Sequence, residues 1–106
     1  MADIISTVLD GIQHIETCWA MPPSLPYAVY HDQATRRGAD LYNGITEHNI
    51  TIELYAQKPA EDLEALIEQR LDALGLEYVR QEREWIDTEH FFETVYDFTY
   101  TEKGFA

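Results

Sequence analysis

The chain has 106 residues and a formal net charge of −13, from 20 acidic and 7 basic residues. This length predicts a single domain over residues 1–106 that can bury its own core. The charge repels phosphate, so we expect no sequence-specific nucleic-acid partner. The only cysteine, Cys18, excludes an internal disulfide, and we expect it to be a partly buried thiol beside Trp19.

The N-terminal segment has the composition of neither a signal peptide nor a membrane span. Its residues, MADIISTVLDGIQHI, lack a basic start, and aspartates interrupt the apolar run. No stretch of the chain approaches the roughly 20 apolar residues that a membrane-spanning helix needs. We therefore expect a soluble protein that is made in the cytoplasm and has no membrane partner.

The first half of the chain predicts one helix followed by two strands. Apolar residues at helical spacing predict a helix over residues 3–16, with Gly11 in its interior. Clustered prolines predict an extended connector at Trp19–Pro26. Alternation of side chains then predicts strands at Tyr27–Asp32 and Thr46–Ala56.

A long aperiodic segment, Gln33–Ile45, separates these two strands. It contains Arg36, Arg37 and Asp40. Loops of this length in compact domains are usually functional or mobile. In a chain that is otherwise anionic, the paired arginines favour docking against an acidic surface. A solvated loop tip is the alternative.

The second half predicts another helix and a long hairpin. An apolar stripe covers residues 60–74 and ends at Gly75. Aromatic and β-branched residues crowd Glu77–Lys103 and predict two strands that meet at a turn near Asp87–Glu89. The first of these strands alternates poorly, so either both of its faces are partly covered or a bulge shifts its register.

The sequence of this half also predicts which side chains of its last strand and of its helix are buried or exposed. The second strand of the hairpin places one face against the core, and this face consists of Phe92, Thr94, Tyr96, Phe98 and Tyr100. The polar face of the second helix is expected to be solvated, and it includes Glu64, Glu68 and Asp72.

Together these elements predict an α+β fold in the order α-β-β-α-β-β, with a mostly antiparallel four-stranded sheet and two helices packed on one face. Such a sheet leaves its other face bare. Apolar patches of this kind usually mark partner surfaces, with tyrosine and tryptophan as preferred anchors. We therefore expect an oligomer or partner interface at Tyr55, Trp85, Phe91 and Val95. Coverage by the 19–26 connector is the alternative.

The sequence shows no constellation of residues that indicates catalysis. The histidines lack metal-ligand spacing, and the glycines and serines form neither a phosphate loop nor a nucleophile elbow. A Thr-Glu-His triplet occurs twice and ends at His48 and His90, which strand pairing could bring together around a metal. We expect no enzyme, no cofactor and no metal. A metal-dependent enzyme that uses these two histidines is the alternative.

Several segments in combination resemble a known family. They are PYAVYHD followed by Gly38-Ala39-Asp40, then HNITIELYA, LDALGLEY and WIDTEHFFETVYDFTYTEK. The chain resembles the tail terminator proteins of long-tailed phages and prophages of Gram-positive bacteria, a group also described as tail completion or head–tail joining proteins. The resemblance extends over almost the full length of the chain.

The resemblance implies a structural virion protein with a small mixed sheet and flanking helices. Such proteins assemble as a ring, typically a hexamer of about six copies, that caps the tail tube and meets the head connector. The implied partners are further copies of the chain, the tail tube protein and the head connector protein. The implied location is the virion tail at the head–tail interface, after assembly in the host cytoplasm.

If the chain is a tail terminator, its negative charge would line the channel through which DNA passes. A ring of such chains would have a negative lumen, through which DNA slides instead of binding. Arg36 and Arg37 would pair with acidic surfaces of a neighbouring copy or of the tube protein. A different interpretation of the same charge is a small acidic phage-derived DNA mimic that inhibits a host nucleic-acid enzyme.

Overall fold

The computed structural model describes residues 4–37 and 45–103, which form two helices and six strands. In chain order these are α1 (Ile4–Val8), β1 (His14–Glu16), β2 (Tyr27–Arg37), β3 (Ile45–Ala56), α2 (Glu61–Ala73), β4 (Tyr78–Arg80), β5 (Glu84–Ile86) and β6 (Phe91–Lys103). The predicted α+β class is confirmed. The order differs from the predicted α-β-β-α-β-β because the described residues contain two further short strands, one in each half.

All six strands join one sheet in the order β1-β2-β3-β6-β4, with β5 also paired to β6. The β1–β2 pair is parallel and the other pairs are antiparallel, so the predicted mostly antiparallel sheet is confirmed. The two longest ladders are β2–β3 and β3–β6. The strand β3 is therefore the centre of the sheet.

One face of the sheet carries the core. Its fully buried side chains alternate along the three long strands, as period-two packing requires. The core residues of the sheet are Ala28, Ile50, Ile52, Leu54, Tyr96 and Phe98, and those of the helical segments are Ile5, Val8, Leu9, Ile12, Ile67 and Leu71. The predicted inward face of the last strand is confirmed, and both helices pack on this side of the sheet.

The predicted first helix, residues 3–16, is wrong in its length. The helix α1 ends at Val8, and Gly11 has a φ of 83°, in the left-handed region that favours glycine. The chain then forms β1, which pairs in parallel with β2. Four residues of the predicted apolar stripe are still buried, because the turn after α1 keeps them on the sheet: Ile5, Val8, Leu9 and Ile12. Ile4 and Ile15 of the stripe are partly buried.

The second helix lies where the sequence predicts it. The helix α2 falls within residues 60–74, and Gly75 follows it with a φ of 73°. The N–H of Gly75 donates to the carbonyl of Asp72 at 3.0 Å, and the N–H of Leu76 donates to the carbonyl of Leu71 at 3.0 Å. These paired bonds form a Schellman motif, which confirms the predicted glycine stop.

The predicted loop at Gln33–Ile45 is wrong in its extent. The strand β2 continues through Arg37, which pairs with Ile45 at the start of β3. Residues 33–35 are exposed on both faces, so no alternation of polar and apolar side chains marks this part of β2. We call residues 33–37, 45–49 and 99–103 the arm, because β2, β3 and β6 are the only described strands that continue into this end of the sheet.

The first strand of the predicted hairpin is divided into β4 and β5 by a bulge. Arg80 pairs with Tyr96, whereas Glu84 pairs with Glu93. The three residues 81–83 therefore lie opposite only two residues of β6, Thr94 and Val95. The edge strand thus contains one extra residue, which is a β-bulge. The bulge that the sequence left open is confirmed, and the predicted turn is present between Ile86 and Phe91.

Candidate interaction surface and buried ionic network

The sheet face opposite the helices carries three of the four predicted aromatic and apolar interface residues. Tyr55 of β3 and Phe91 and Val95 of β6 share this face, and each is partly buried. The ring centroids of Tyr55 and Phe91 are 4.7 Å apart, and those of Tyr27 and Tyr55 are 5.5 Å apart. Trp19 meets Tyr27 edge-on at 6.2 Å. We call Trp19, Tyr27, Tyr55 and Phe91 the aromatic cluster.

The connector covers part of this face, in agreement with the alternative interpretation. The indole N–H of Trp19 donates to the carbonyl of Ala28 at 3.3 Å. Trp19 and Pro22, with the rest of the aromatic cluster, line a cavity of about 250 Å³. Cys18 also borders this cavity, but it is exposed and not partly buried as predicted. The aromatic cluster is thus a surface that the chain itself half covers.

Trp85 lies apart from the aromatic cluster. It belongs to β5 at the edge of the sheet and is 45% exposed. Its ring packs edge-on against Phe92, its ladder partner, with centroids 4.9 Å apart, on the side of the sheet that faces the helices. The four predicted residues therefore occupy two different surfaces.

The predicted polar interface residues are only partly described. Arg36 and Arg37 end β2, where their backbones pair with Thr46 and Ile45. Asp40 lies outside the described residues. The predicted contacts of these three residues with a partner stay predictions.

Carboxylates surround the aromatic cluster. The hydroxyl of Tyr55 donates to Oε1 of Glu53 at 3.1 Å, and Nε2 of His31 lies 3.2 Å from the same oxygen. Burial raises the pKa of the Glu93 carboxyl, and the charges of Glu53 and Glu84 raise this pKa further. The ionised form of Glu93 is therefore disfavoured, first by burial and then by the neighbouring carboxylates.

Replacing Glu93 with glutamine is expected to stabilise the protein at neutral pH. A carboxyl whose pKa is higher in the folded than in the unfolded state destabilises the fold when it is ionised. This penalty is fully present above the folded pKa and disappears as the pH falls below the ordinary value of 4.5. Thermal unfolding at neutral and acid pH measures the difference from the wild type. A gain that persists unchanged at acid pH would contradict this explanation.

On the helix side of the sheet lies a buried ionic network centred on Glu64. The Glu64 side chain is 3% exposed and accepts two hydrogen bonds from Arg83, at 2.9 and 2.6 Å. The hydroxyl of Thr94 donates to the same carboxylate at 2.6 Å. Arg80 lies 3.5 Å from Glu64 and donates to Glu68 at 3.1 Å. The network ties the bulged edge of the sheet to α2.

The network overturns the prediction that Glu64 lies on a solvated helix face. Burial alone would raise the pKa of Glu64, but the hydrogen bonds from Arg83 and Thr94 and the charges of Arg83 and Arg80 lower it. The sequence does carry a signal for this site: Glu64 precedes the buried Ile67 by three residues, at helical spacing, and therefore lies on the core side of α2. The cationic partners come from the bulge, which brings both Arg80 and Arg83 toward α2 although they are three residues apart.

The two Thr-Glu-His triplets do not come together. Nδ1 of His48 lies 2.9 Å from Oδ1 of Asp32, and the His48 ring stacks on Tyr100 at 4.5 Å. His90 lies in the turn before β6, next to Trp85. Because His48 pairs with Tyr100, the two histidines are separated by about 30 Å of strand. Within residues 4–37 and 45–103, no group of three or more His, Cys, Asp or Glu side chains could hold a metal ion.

Two further findings concern membrane-spanning helices and similarity to known proteins. In the part of the chain that the structure describes, no helix is long and apolar enough to cross a membrane. The chain matches no protein-family model, and it matches no curated protein.

Proposed function

We propose that the protein is a structural component of a long-tailed phage virion. It assembles as a ring on the tail tube, joins the tail to the head connector, and lets DNA pass through a negatively charged lumen. It is not an enzyme and requires no cofactor. The proposal is supported by the resemblance in sequence, and one structural observation carries it: most of the cationic side chains that the structure describes are engaged in contacts within the chain.

Three of the four lysine and arginine side chains that the structure describes are held by the protein itself. Arg70 donates to the carbonyls of Val8 at 3.0 Å and Asp10 at 2.7 Å. Arg80 and Arg83 serve the network around Glu64. In a chain with a net charge of −13, this leaves an anionic exterior. Such a surface repels phosphate, which suits the wall of a DNA channel.

Several of the segments that carry the resemblance lie in the central strands and at the end of α2. HNITIELYA lies in β3 and VYDFTYTEK ends β6, and the two strands pair with Ile52 opposite Tyr96. LDALGLEY covers the end of α2, its glycine stop and the start of β4. The resemblance therefore concerns the framework that presents both the open sheet face and the arm.

Light scattering coupled to size-exclusion chromatography tests the proposed ring. We expect a closed assembly of about six 12.3 kDa chains at high protein concentration, with a central hole in electron micrographs. Replacing both Arg36 and Arg37 with glutamate is expected to weaken the assembly at least about tenfold, because the arginines contact an acidic neighbour. Lys58→Glu, which adds negative charge elsewhere, is the control and should leave the assembly intact.

The same samples separate the two interpretations of the charge. A strict monomer at every concentration would contradict the ring and favour the DNA mimic, especially if the protein inhibits a nucleic-acid enzyme. Retention of double-stranded DNA by the assembled ring at low salt would contradict a lumen that lets DNA slide.

A further inference from the structure

The outer edge of β2 is open along the arm. The N–H of Ala28 donates to the carbonyl of Gln13 at 2.8 Å, and the carbonyl of Tyr30 accepts from Thr17 at 2.8 Å. Even-numbered residues of β2 therefore direct their backbone groups away from β3. The strand β1 ends at Glu16, opposite Tyr30. Beyond it, no described strand pairs with the outward groups of three residues: Asp32, Ala34 and Arg36.

The outer edge of β6 is open at the same end of the sheet. The N–H of Gln81 donates to the carbonyl of Val95 at 2.9 Å, so odd-numbered residues of β6 direct their backbone groups away from β3. The strand β4 reaches only as far as the pair of Tyr78 with Phe98. Among the described strands, none covers the outward groups of the three residues that follow: Thr99, Thr101 and Lys103.

The two open edges match in level and direction. Asn49 of β3 pairs with both Gln33 and Thr99, and Ile45 pairs with both Arg37 and Lys103. The two edges therefore begin and end at the same level of the arm. Both β2 and β6 are antiparallel to β3, so they run in the same direction. Two copies side by side can thus place β2 against β6 as parallel strands without any shift along the strands.

We propose that copies of this chain associate head to tail by strand addition, with the outer edge of β2 in one copy pairing with the outer edge of β6 in the next. Main-chain hydrogen bonds between such edges are an established mode of association. A head-to-tail contact without a shift along the strands closes into a ring when each copy is rotated by the same angle. This contact would join neighbouring copies in the proposed ring. The strand pairing itself is argued from the two sheet edges, and only the closing of the copies into a ring rests on the proposed function.

A second copy of the chain is the partner that the two edges fit. Open edges are usually protected by charges, prolines or bulges, yet residues 33–35 and 99–101 are uncharged and contain no proline. Arg36 and Glu102, which carry opposite charges, both pair with Thr46 and so lie at one level.

Proline substitutions at the two edges test the contact. In Ala34→Pro and Thr101→Pro, an outward N–H is lost while the hydrogen bonds to β3 remain, so both variants should fold. We expect each variant to associate at least about tenfold more weakly than the wild type in light scattering. Ala34→Ser and Thr101→Ser retain the N–H and are the matched controls. Circular dichroism establishes that each variant is folded.

Mixing the two proline variants distinguishes head-to-tail pairing from other contacts. Ala34→Pro retains an intact β6 edge and Thr101→Pro retains an intact β2 edge. The mixture should therefore form dimers with one chain of each variant and nothing larger. Dimers formed by either variant alone would overturn the head-to-tail arrangement. Rings of undiminished stability in both variants would overturn strand addition and leave the ring itself standing. A wild type that stays monomeric would overturn both.

Amide hydrogen exchange provides a test that needs no substitution. On assembly of the wild type, exchange at Ala34 and Thr101 should slow, because their N–H groups gain partners. Exchange at Gln33 and Tyr100, whose N–H groups point toward β3, should not change. Equal exchange at Ala34 and Thr101 in dilute and assembled protein would overturn the inference.

Discussion

Replacing Arg83 with alanine is expected to lower the free energy of unfolding by about 3–5 kcal/mol, the usual cost of breaking a buried ion pair. Arg83 is the main partner of Glu64, whose side chain is almost fully buried. Without it, the Glu64 carboxylate retains Thr94 and the more distant Arg80. Chemical denaturation at neutral pH measures the change.

Two control variants and the pH dependence separate this explanation from simple loss of packing. Arg80→Ala should cost about 1 kcal/mol or less, because Arg80 is 37% exposed and only borders Glu64. The double variant Glu64→Gln with Arg83→Met should be more stable than Arg83→Ala, because no buried charge is left unpaired.

The pKa of Glu64 is lowered by its partners, so the stability they provide is present above pH 4.5 and is lost at lower pH. A cost of Arg83→Ala that is the same at acid and neutral pH would contradict the electrostatic account.

Replacing Tyr96 with alanine is expected to cost about 3–5 kcal/mol, because it removes a fully buried ring from the centre of the core. Its hydroxyl donates to Oε2 of Glu68 at 2.8 Å. Tyr96→Phe, which removes only the hydroxyl, should cost about 1 kcal/mol. Thermal or chemical unfolding of the two variants divides the contribution of Tyr96 between its ring and its hydrogen bond.

Val79 provides a matched control on the neighbouring strand, since it is 64% exposed. Val79→Ala should change the free energy of unfolding by no more than about 0.5 kcal/mol. If Tyr96→Phe proved as costly as Tyr96→Ala, the stability would lie in the hydrogen bond to Glu68 and not in the packing of the ring.

The elements that follow local rules were predictable from the sequence. The helix α2 has an apolar stripe and a glycine that can adopt a positive φ, and both are properties of neighbouring residues. The alternation in β3 and β6 reflects one covered and one open face, so Tyr96 and Phe98 were assigned to the core correctly. These patterns arise because burial selects side chains with the period of the element.

The elements that depend on distant partners were not predictable. The strand β1 has three residues and exists because β2 lies beside it. At its end of the arm, β2 has no covered face to mark it as a strand, yet eleven residues of β2 pair with β3. Gly11 fits a helical pattern as well as it fits a turn, and the pairing of β1 decides between them.

The candidate surface was predicted in part for the same reason. Tyr55, Phe91 and Val95 share a face because their strands alternate regularly and pair directly. Trp85 was grouped with them, but the pairing of β5 places it opposite Phe92 on the other side of the sheet. The sequence pattern of a strand does not show which side chains face the core after a bulge. One extra residue reverses the alternation of buried and exposed side chains.

The bulge at residues 81–83 also bears on how the length of this chain can vary in evolution. Deletion of one residue from a regular strand moves every later side chain to the opposite face. Here a deletion of Glu82 would instead restore an unbroken ladder from Tyr78 to Ile86, with Arg83 opposite Thr94 and Trp85 still opposite Phe92. Homologous chains that are one residue shorter between β4 and β5 can therefore keep the same core, the same ionic network and the same edge.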